Sequence, residues 1–195
     1  AEQARSQAQT AKKAHEMVSE AEHGTHAYLA RKGFPALIGL TLEGKLLVPV
    51  IDFDRYPSII SAQLITEHGE KKFLPGGRAK GGVYRLGVPA SNARRVILCE
   101  GYATGLSLDA AAHMLPGAHC TIVCFSAGNL ELISSKLPAS IDALIATDND
   151  QSGTGEQSAR RTGRKWIMPA DVGQDYNDVH VQQGIRSVVE ALRSA

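Results

Sequence analysis

Arg94-Arg95-Val96-Ile97-Leu98-Cys99-Glu100-Gly101-Tyr102-Ala103-Thr104-Gly105 is the stretch that decides the fold. An apolar run without alternation ends on a carboxylate and a glycine, and a helical pattern begins at once, over Ala103–Met114. A strand that is apolar on both faces belongs in a parallel sheet covered by helices. The same texture returns three times. HCTIVCF (119–125) leads to a helical pattern over Asn129–Leu137, DALIA (142–146) to one over Thr154–Arg161, and KWIM (165–168) to two C-terminal helical stretches. In the last of these Ile185, Val188, Val189 and Leu192 share one helix face. Strand–helix alternation of this kind predicts an α/β domain over residues 94–195, a parallel sheet flanked by helices.

Upstream the texture differs. Residues 1–24 read as a solvent-rich helix of Ala, Gln, Lys and Glu that Gly24 stops. Thr25 can cap a short helix from His26 to Lys32, which Gly33 ends. Lys45–Phe53 and Ser58–Thr66 are strand candidates on either side of Tyr56-Pro57, and Pro49 predicts an edge or a bulge in the first. Gly76-Gly77 and Gly81-Gly82 bracket a basic loop expected to be mobile. Residues 25–93 are therefore expected to form a smaller mixed α/β subdomain.

Composition narrows the function. With 195 residues, 43% hydrophobic and 21% charged, the chain is neither disordered nor fibrous. Its longest apolar runs are strand-sized, so no membrane partner is expected. Three cysteines make no disulfide framework, which suits a reducing, cytoplasmic setting. A chain that begins at Ala1 is expected to be cut from a longer protein. The net charge of +1 conceals an asymmetry. Lys71, Lys72, Arg78, Lys80, Arg85, Arg94 and Arg95 fall in a stretch with no acid, whereas Asp142, Asp148, Asp150, Glu156, Asp171, Asp175 and Asp178 follow later. A basic stretch followed by an acidic cluster suits a protein that holds a polyanion and a cation. Two solvated faces are the plainer reading.

In an open α/β sheet, functional groups gather beyond the carboxyl ends of the strands. Glu100 follows one apolar run directly, and Asp148 and Asp150 follow another in Asp148-Asn149-Asp150-Gln151-Ser152-Gly153. The 48 residues from Glu100 to Asp148 are about two strand–helix units, so these acids are expected at one sheet edge. Converging carboxylates need a cation, and oxygen-only ligands select Mg²⁺ or Mn²⁺. Against this stands turn formation, since Asp and Asn shape turns and Gly153 supplies positive φ. An EF-hand is excluded because its twelfth position would be Ala159. The glycine-rich segment lacks a GK[ST] ending, and no HExxH is present. Cys120 and Cys124, with His113 and His119 nearby, read as buried small hydrophobes rather than zinc ligands, and the other histidines as surface groups.

EGYATG after one strand and ATDNDQSG after another resemble the TOPRIM domain shared by bacterial primases, type IA and II topoisomerases and some nucleases. The resemblance to primases extends over roughly residues 26–184. HAYLARKGF resembles the opening of the primase core, KLLVPVIDFDRYPSIISAQLI its central hairpin, and KKFLPGGRAKGGVYRLG the basic segment before the first TOPRIM strand. FSAGNL and MPADVGQDYNDV stand in the family order after them. The texture is closest to primases of phages, plasmids and mobile elements.

The resemblance implies a nucleotidyltransferase that makes short primers from nucleoside triphosphates on a single-stranded DNA template. Glu100, Asp148 and Asp150 match the catalytic acids, with Glu100 as proton acceptor or further ligand. Asp175 and Asp178 match the late acids, Asp178 expected at the metal and Asp175 as a helix cap, with Gly101 and Gly153 shaping the backbone. Lys72 and Lys80, with Lys71, Arg78 and Arg85 in the same basic segment, are expected on template or nucleotide phosphate. Gln151 stands where replicative enzymes often carry Arg. A zinc-binding module and a helicase are the partners the resemblance implies. A TOPRIM nuclease and a catalytically silent single-stranded DNA-binding module are the alternatives. A topoisomerase would need a nucleophilic Tyr in a further domain.

Overall fold

The computed structural model describes residues 2–195. The chain divides into two compact units, one ending at Tyr84 and one running from Arg85 to Ala195.

The first unit begins with α1 (Glu2–Glu20) and continues through β1 (Glu22–Gly24), α2 (Ala27–Arg31), β2 (Gly39–Leu42), β3 (Lys45–Asp52), β4 (Ile59–Ile65) and β5 (Lys71–Phe73). The strands form an antiparallel sheet in chain order, and Gly82 and Val83 at the start of β6 (Gly82–Gly87) pair with Asp52 and Ile51. The sequence pattern extends the first helix to residue 23. In the structure it stops at Glu20, and Glu22–Gly24 pair with Gly39–Thr41, where the ladder satisfies their backbone groups. Nor is α1 purely solvated. Ala14 is fully buried with Leu47, Ala62 and Leu74, and Met17 and Val18 pack against them. Pro49 faces Ala62 of β4 and lies between the residues of β3 that pair with β2 and those that pair with β6. No N–H is needed there, and a bulge follows at once between Val50 and Ile51. The basic loop expected to be mobile is tethered: Thr10 donates to the Pro75 carbonyl at 2.9 Å, and Arg78 is paired with Asp52.

The second unit alternates strand and helix: β7 (Arg95–Cys99), α3 (Tyr102–Ala112), β8 (His119–Val123), α4 (Ala127–Lys136), β9 (Ala143–Ala146), α5 (Thr154–Arg161), β10 (Lys165–Ile167), α6 (Tyr176–Gln183) and α7 (Ile185–Arg193). Its strands pair in parallel in the order β8-β7-β9-β10. Val96–Cys99 and Leu144–Ala146 are fully buried, which explains the unbroken apolar runs. Helix α3 is buried along nearly its whole length, and Gly105 lets it lie directly on Val123 of the sheet. Val188, Val189 and Leu192 are the buried stripe of α7. All four strands point the same way, so the residues after β7 and β9 emerge at one edge.

Candidate active site

Glu100 is the first residue beyond β7 and is half-buried. Its carbonyl accepts the Phe125 N–H at 2.9 Å, and its carboxylate accepts the Ala127 N–H at the start of α4. Burial, and after it the charge of Asp150, push the Glu100 carboxyl above its ordinary range. Gly101 caps α3 in an extended conformation, and a Cβ there would press on Thr104 Oγ1 at 3.1 Å.

Thr147 continues β9, donating its N–H to the Ile167 carbonyl at 3.0 Å, and the chain then turns through Asp148-Asn149-Asp150. Asp150 Oδ1 accepts the Ser152 N–H at 2.8 Å and the Ser152 hydroxyl, while Oδ2 accepts the Gly155 N–H at 3.2 Å. The hydroxyl, and then the Gly155 amide, hold this carboxyl below its usual value. Gly153 takes the left-handed conformation, φ +67°, that opens α5. Gly155 is required for a different reason. A Cβ there would sit 2.5 Å from Thr147 Oγ1 and 2.6 Å from the Asp148 carbonyl. Close helix–strand contact therefore keeps the acid loop tight.

The third segment arrives from sequence far downstream, and Asn149 fixes it. Its N–H donates to the Gln174 carbonyl at 3.0 Å, its carbonyl accepts the Gly173 N–H, and its side-chain amide donates to the Pro169 and Ala170 carbonyls at 2.9 and 3.3 Å. One residue between the two aspartates thus pins the loop that delivers Asp175 and Asp178. Asp175 is the N-cap of α6, its Oδ1 accepting from Asn177 and Asp178 N–H groups at 2.7 and 2.9 Å. Asp178 Oδ2 accepts the Asp175 N–H at 3.1 Å and closes a capping box. The helix is anchored on α3: fully buried Asn177 donates to Ser107 Oγ at 3.0 Å, and the same hydroxyl reaches His180 Nδ1 at 3.1 Å. His180 is thus tied into a buried network rather than lying free on the surface.

Asp148, Asp150, Asp175 and Asp178 line one cavity of about 170 Å³, together with Asn149, Gly173 and Gln174. Glu100 borders this group electrostatically through Asp150. The buried Cys99 thiol is also raised far above its usual range, first by burial and then by the charges of Cys124, Asp148, Asp175 and Glu100. Three acids from three separate segments therefore act on one point at the end of β7. Among the described residues no three His, Cys, Asp or Glu side chains stand in a ready metal-ligating cluster. Asp150 and Asp175 instead accept from backbone N–H groups of the residues that follow them. The donor set still fits a hard divalent cation: it is all carboxylate, its charges act on one another, and among the described residues Glu100, Asp150 and Asp175 have amide and hydroxyl partners but no Lys or Arg.

The basic residues fall in both units. Lys71 and Lys72 are exposed on β5, paired with Ile65 and Leu64, and Lys80 is exposed in the loop before β6. Arg78 is tied to the buried Asp52, whose other oxygen accepts the Asp54 N–H at 3.0 Å. Arg85 lies half-buried in the second unit, where its charge reaches Cys120. The three cysteines are buried and free.

A parallel sheet with acids massed at its carboxyl edge defines a class, and residues 95–186 match the family model described as the Toprim domain. The α/β fold of the second unit is that of a TOPRIM domain. Over a wider span the chain is similar to two solved structures. One is from bacteriophage T7, in a lagging-strand DNA polymerase interacting with primase domains of two gp4 subunits bound to an RNA/DNA hybrid and dTTP. There the TM-score is 0.61 at 11% identity, over 90% of this chain and 93% of the other. The second is the RNA polymerase domain of the Mycobacterium tuberculosis primase DnaG, with a TM-score of 0.50 at 12% identity over 91% of this chain. This chain spans 60% of that domain. At such identities the likeness is one of fold.

Proposed function

We propose that this chain is a primase-type catalytic core, a nucleotidyltransferase that makes short primers from nucleoside triphosphates on single-stranded DNA. The observation that carries the reading is the convergence of Glu100 with Asp148, Asp150, Asp175 and Asp178 at one sheet edge, with no basic partner for Glu100, Asp150 or Asp175 among the described residues. Asp148, Asp150 and Asp178 would hold Mg²⁺ or Mn²⁺. The bound ion would supply charge neutralisation for a triphosphate and favour deprotonation of an attacking 3′-hydroxyl. Glu100, half-buried beside Asp150, would either complete the ligand set or accept that proton. Asp175 fixes the start of α6 and so orients Asp178. Lys71, Lys72, Arg78, Lys80 and Arg85 would contact template or nucleotide phosphate, giving salt-sensitive and weakly sequence-specific binding. A zinc-binding domain and a helicase would be partners in replication of a phage or plasmid type, in the cytoplasm. Among the described residues no helix is long and apolar enough to cross a membrane.

The test is synthesis of labelled oligoribonucleotides on single-stranded DNA with Mg²⁺. Product is expected from the wild type and a fall of at least about 100-fold from Glu100→Gln and from Asp148→Asn with Asp150→Asn. Shortened DNA with no new chains would instead identify a nuclease. DNA binding with neither product would identify a silent module.

A further inference from the structure

The amino ends of the same parallel strands carry a charge opposite to that of the acid edge. Arg95 opens β7, His119 opens β8, and Asp142 precedes β9. Five residues of β7, about 16 Å at about 3.3 Å each, separate this end from Glu100. A cavity of about 250 Å³ lies here, lined by Arg94, Arg95, Arg193, His119 and Asp142, with Pro116 and Leu192 as an apolar wall. We propose that it is a second, metal-independent binding site for a polyphosphate anion, either free pyrophosphate or the phosphate tail of a nucleotide.

Three arginines line this cavity with one aspartate. Asp142 accepts from Arg95 Nε at 2.9 Å, and Arg95 Nη1 also donates to the Leu192 carbonyl at 3.2 Å, so Arg95 is accounted for within the fold. Arg94 and Arg193 are not. The Arg94 stem rests on Gly117, where a Cβ would come within 2.8 Å of its Cδ, and its guanidinium makes only a long contact of 3.5 Å to the Pro116 carbonyl. Arg193 has no hydrogen-bond or ion-pair partner among the described residues. Complementing the dipole of α7 explains Arg193 in its last turn, and that helix end offsets about half a charge. It does not explain Arg94, and net positive charge remains. His119 adds none, because burial together with Arg95, His113 and Arg94 holds its imidazole below the usual range. Two uncommitted planar forks over one concavity match a compact group with several phosphate oxygens. A polymer backbone would need basic residues in a line along a surface.

The site is tested by titrating pyrophosphate and ATP into the chain in excess EDTA, by calorimetry and by NMR of the His119 ring. Without metal the acid edge repels polyphosphate, so the two sites are separated. Saturable one-to-one binding is expected, weakened at least tenfold in Arg94→Gln with Arg193→Gln and unchanged in Asp148→Asn with Asp150→Asn, with the His119 ring titrating at higher pH when the anion is bound. Equal affinity for pyrophosphate and ATP would assign the site to free polyphosphate, and tighter binding of ATP to a nucleotide. No saturable binding in EDTA would overturn the proposal. So would binding that appears only with Mg²⁺ and disappears with the Asp148 and Asp150 substitutions, or binding that sulfate at equal ionic strength reproduces.

Discussion

Asp52 and Asp150 stand at or just beyond the ends of strands in different units, and their carboxylates are neutralised in different ways. Asp52 is 2% exposed. Burial pushes its carboxyl up, but the Asp54 N–H, Arg78 and Arg55 outweigh that and hold it below its ordinary value. Asp150 is also held low, yet by a hydroxyl and amides of its own turn, and its charge bears on Glu100. One carboxylate is balanced inside the fold by two guanidinium groups. The other leaves its negative charge facing the carboxylates around it.

The widest separation is expected in metal affinity. Asp148→Asn with Asp150→Asn should weaken Mn²⁺ binding by more than about 100-fold while changing stability by no more than about 1 kcal/mol, read by calorimetry and thermal unfolding. Asp52→Ala should do the reverse. It removes charge-assisted hydrogen bonds from a buried position and should cost about 2–3 kcal/mol, with Mn²⁺ affinity unchanged. If Asp52→Ala also lost Mn²⁺ binding, the contrast between the two acids would collapse.

Asn149→Ala should come next. Losing the amide bonds to Pro169 and Ala170 loosens the loop that carries Asp175, so Mn²⁺ affinity should drop about tenfold. Stability should fall by only about 1 kcal/mol. Equal Mn²⁺ affinity in the variant would show that the two acid segments are placed independently.

The smallest effect is in pH dependence. Because the Glu100 carboxyl is raised in the fold, it favours the folded state at low pH and that contribution is lost as pH rises through its titration. Metal-free Glu100→Gln should therefore gain stability relative to wild type toward neutral pH, and Mn²⁺ should remove most of the difference. Asp52, held low, has the opposite sign, its contribution being present at neutral pH and lost on acidification. Parallel pH profiles for Glu100→Gln and wild type would show that neither burial nor Asp150 raises the Glu100 carboxyl.

The strand–helix alternation after Arg94 was legible because strands buried on both faces leave unbroken apolar runs, as Val96–Cys99 and Leu144–Ala146 show. Glu100 and Asp148 could be nominated for the same reason, since each directly follows such a run. The first unit was harder to read. Residues 22–24 carry no strand signal and become one only because Gly39–Thr41 lies beside them. Asn149 reads as an ordinary turn residue, and its partners lie some twenty residues away at the carbonyls of 169 and 170. Gly155 resembles any helix glycine until the contact with Thr147 and Asp148 is seen. Arg78 reads as one more cation in a basic run, although Asp52, twenty-six positions earlier, holds it.

The central claim is that the carboxyl edge of the parallel sheet, and no other acidic region, takes a divalent cation. Titration of Mn²⁺ into the wild-type chain, followed by paramagnetic broadening of backbone amides, measures this directly. Broadening is expected first at Glu100, Asp148–Asp150 and Asp175–Asp178. Onset at Asp52, or at the Glu20, Glu22 and Glu43 cluster of the first unit, with the edge unaffected, would contradict it.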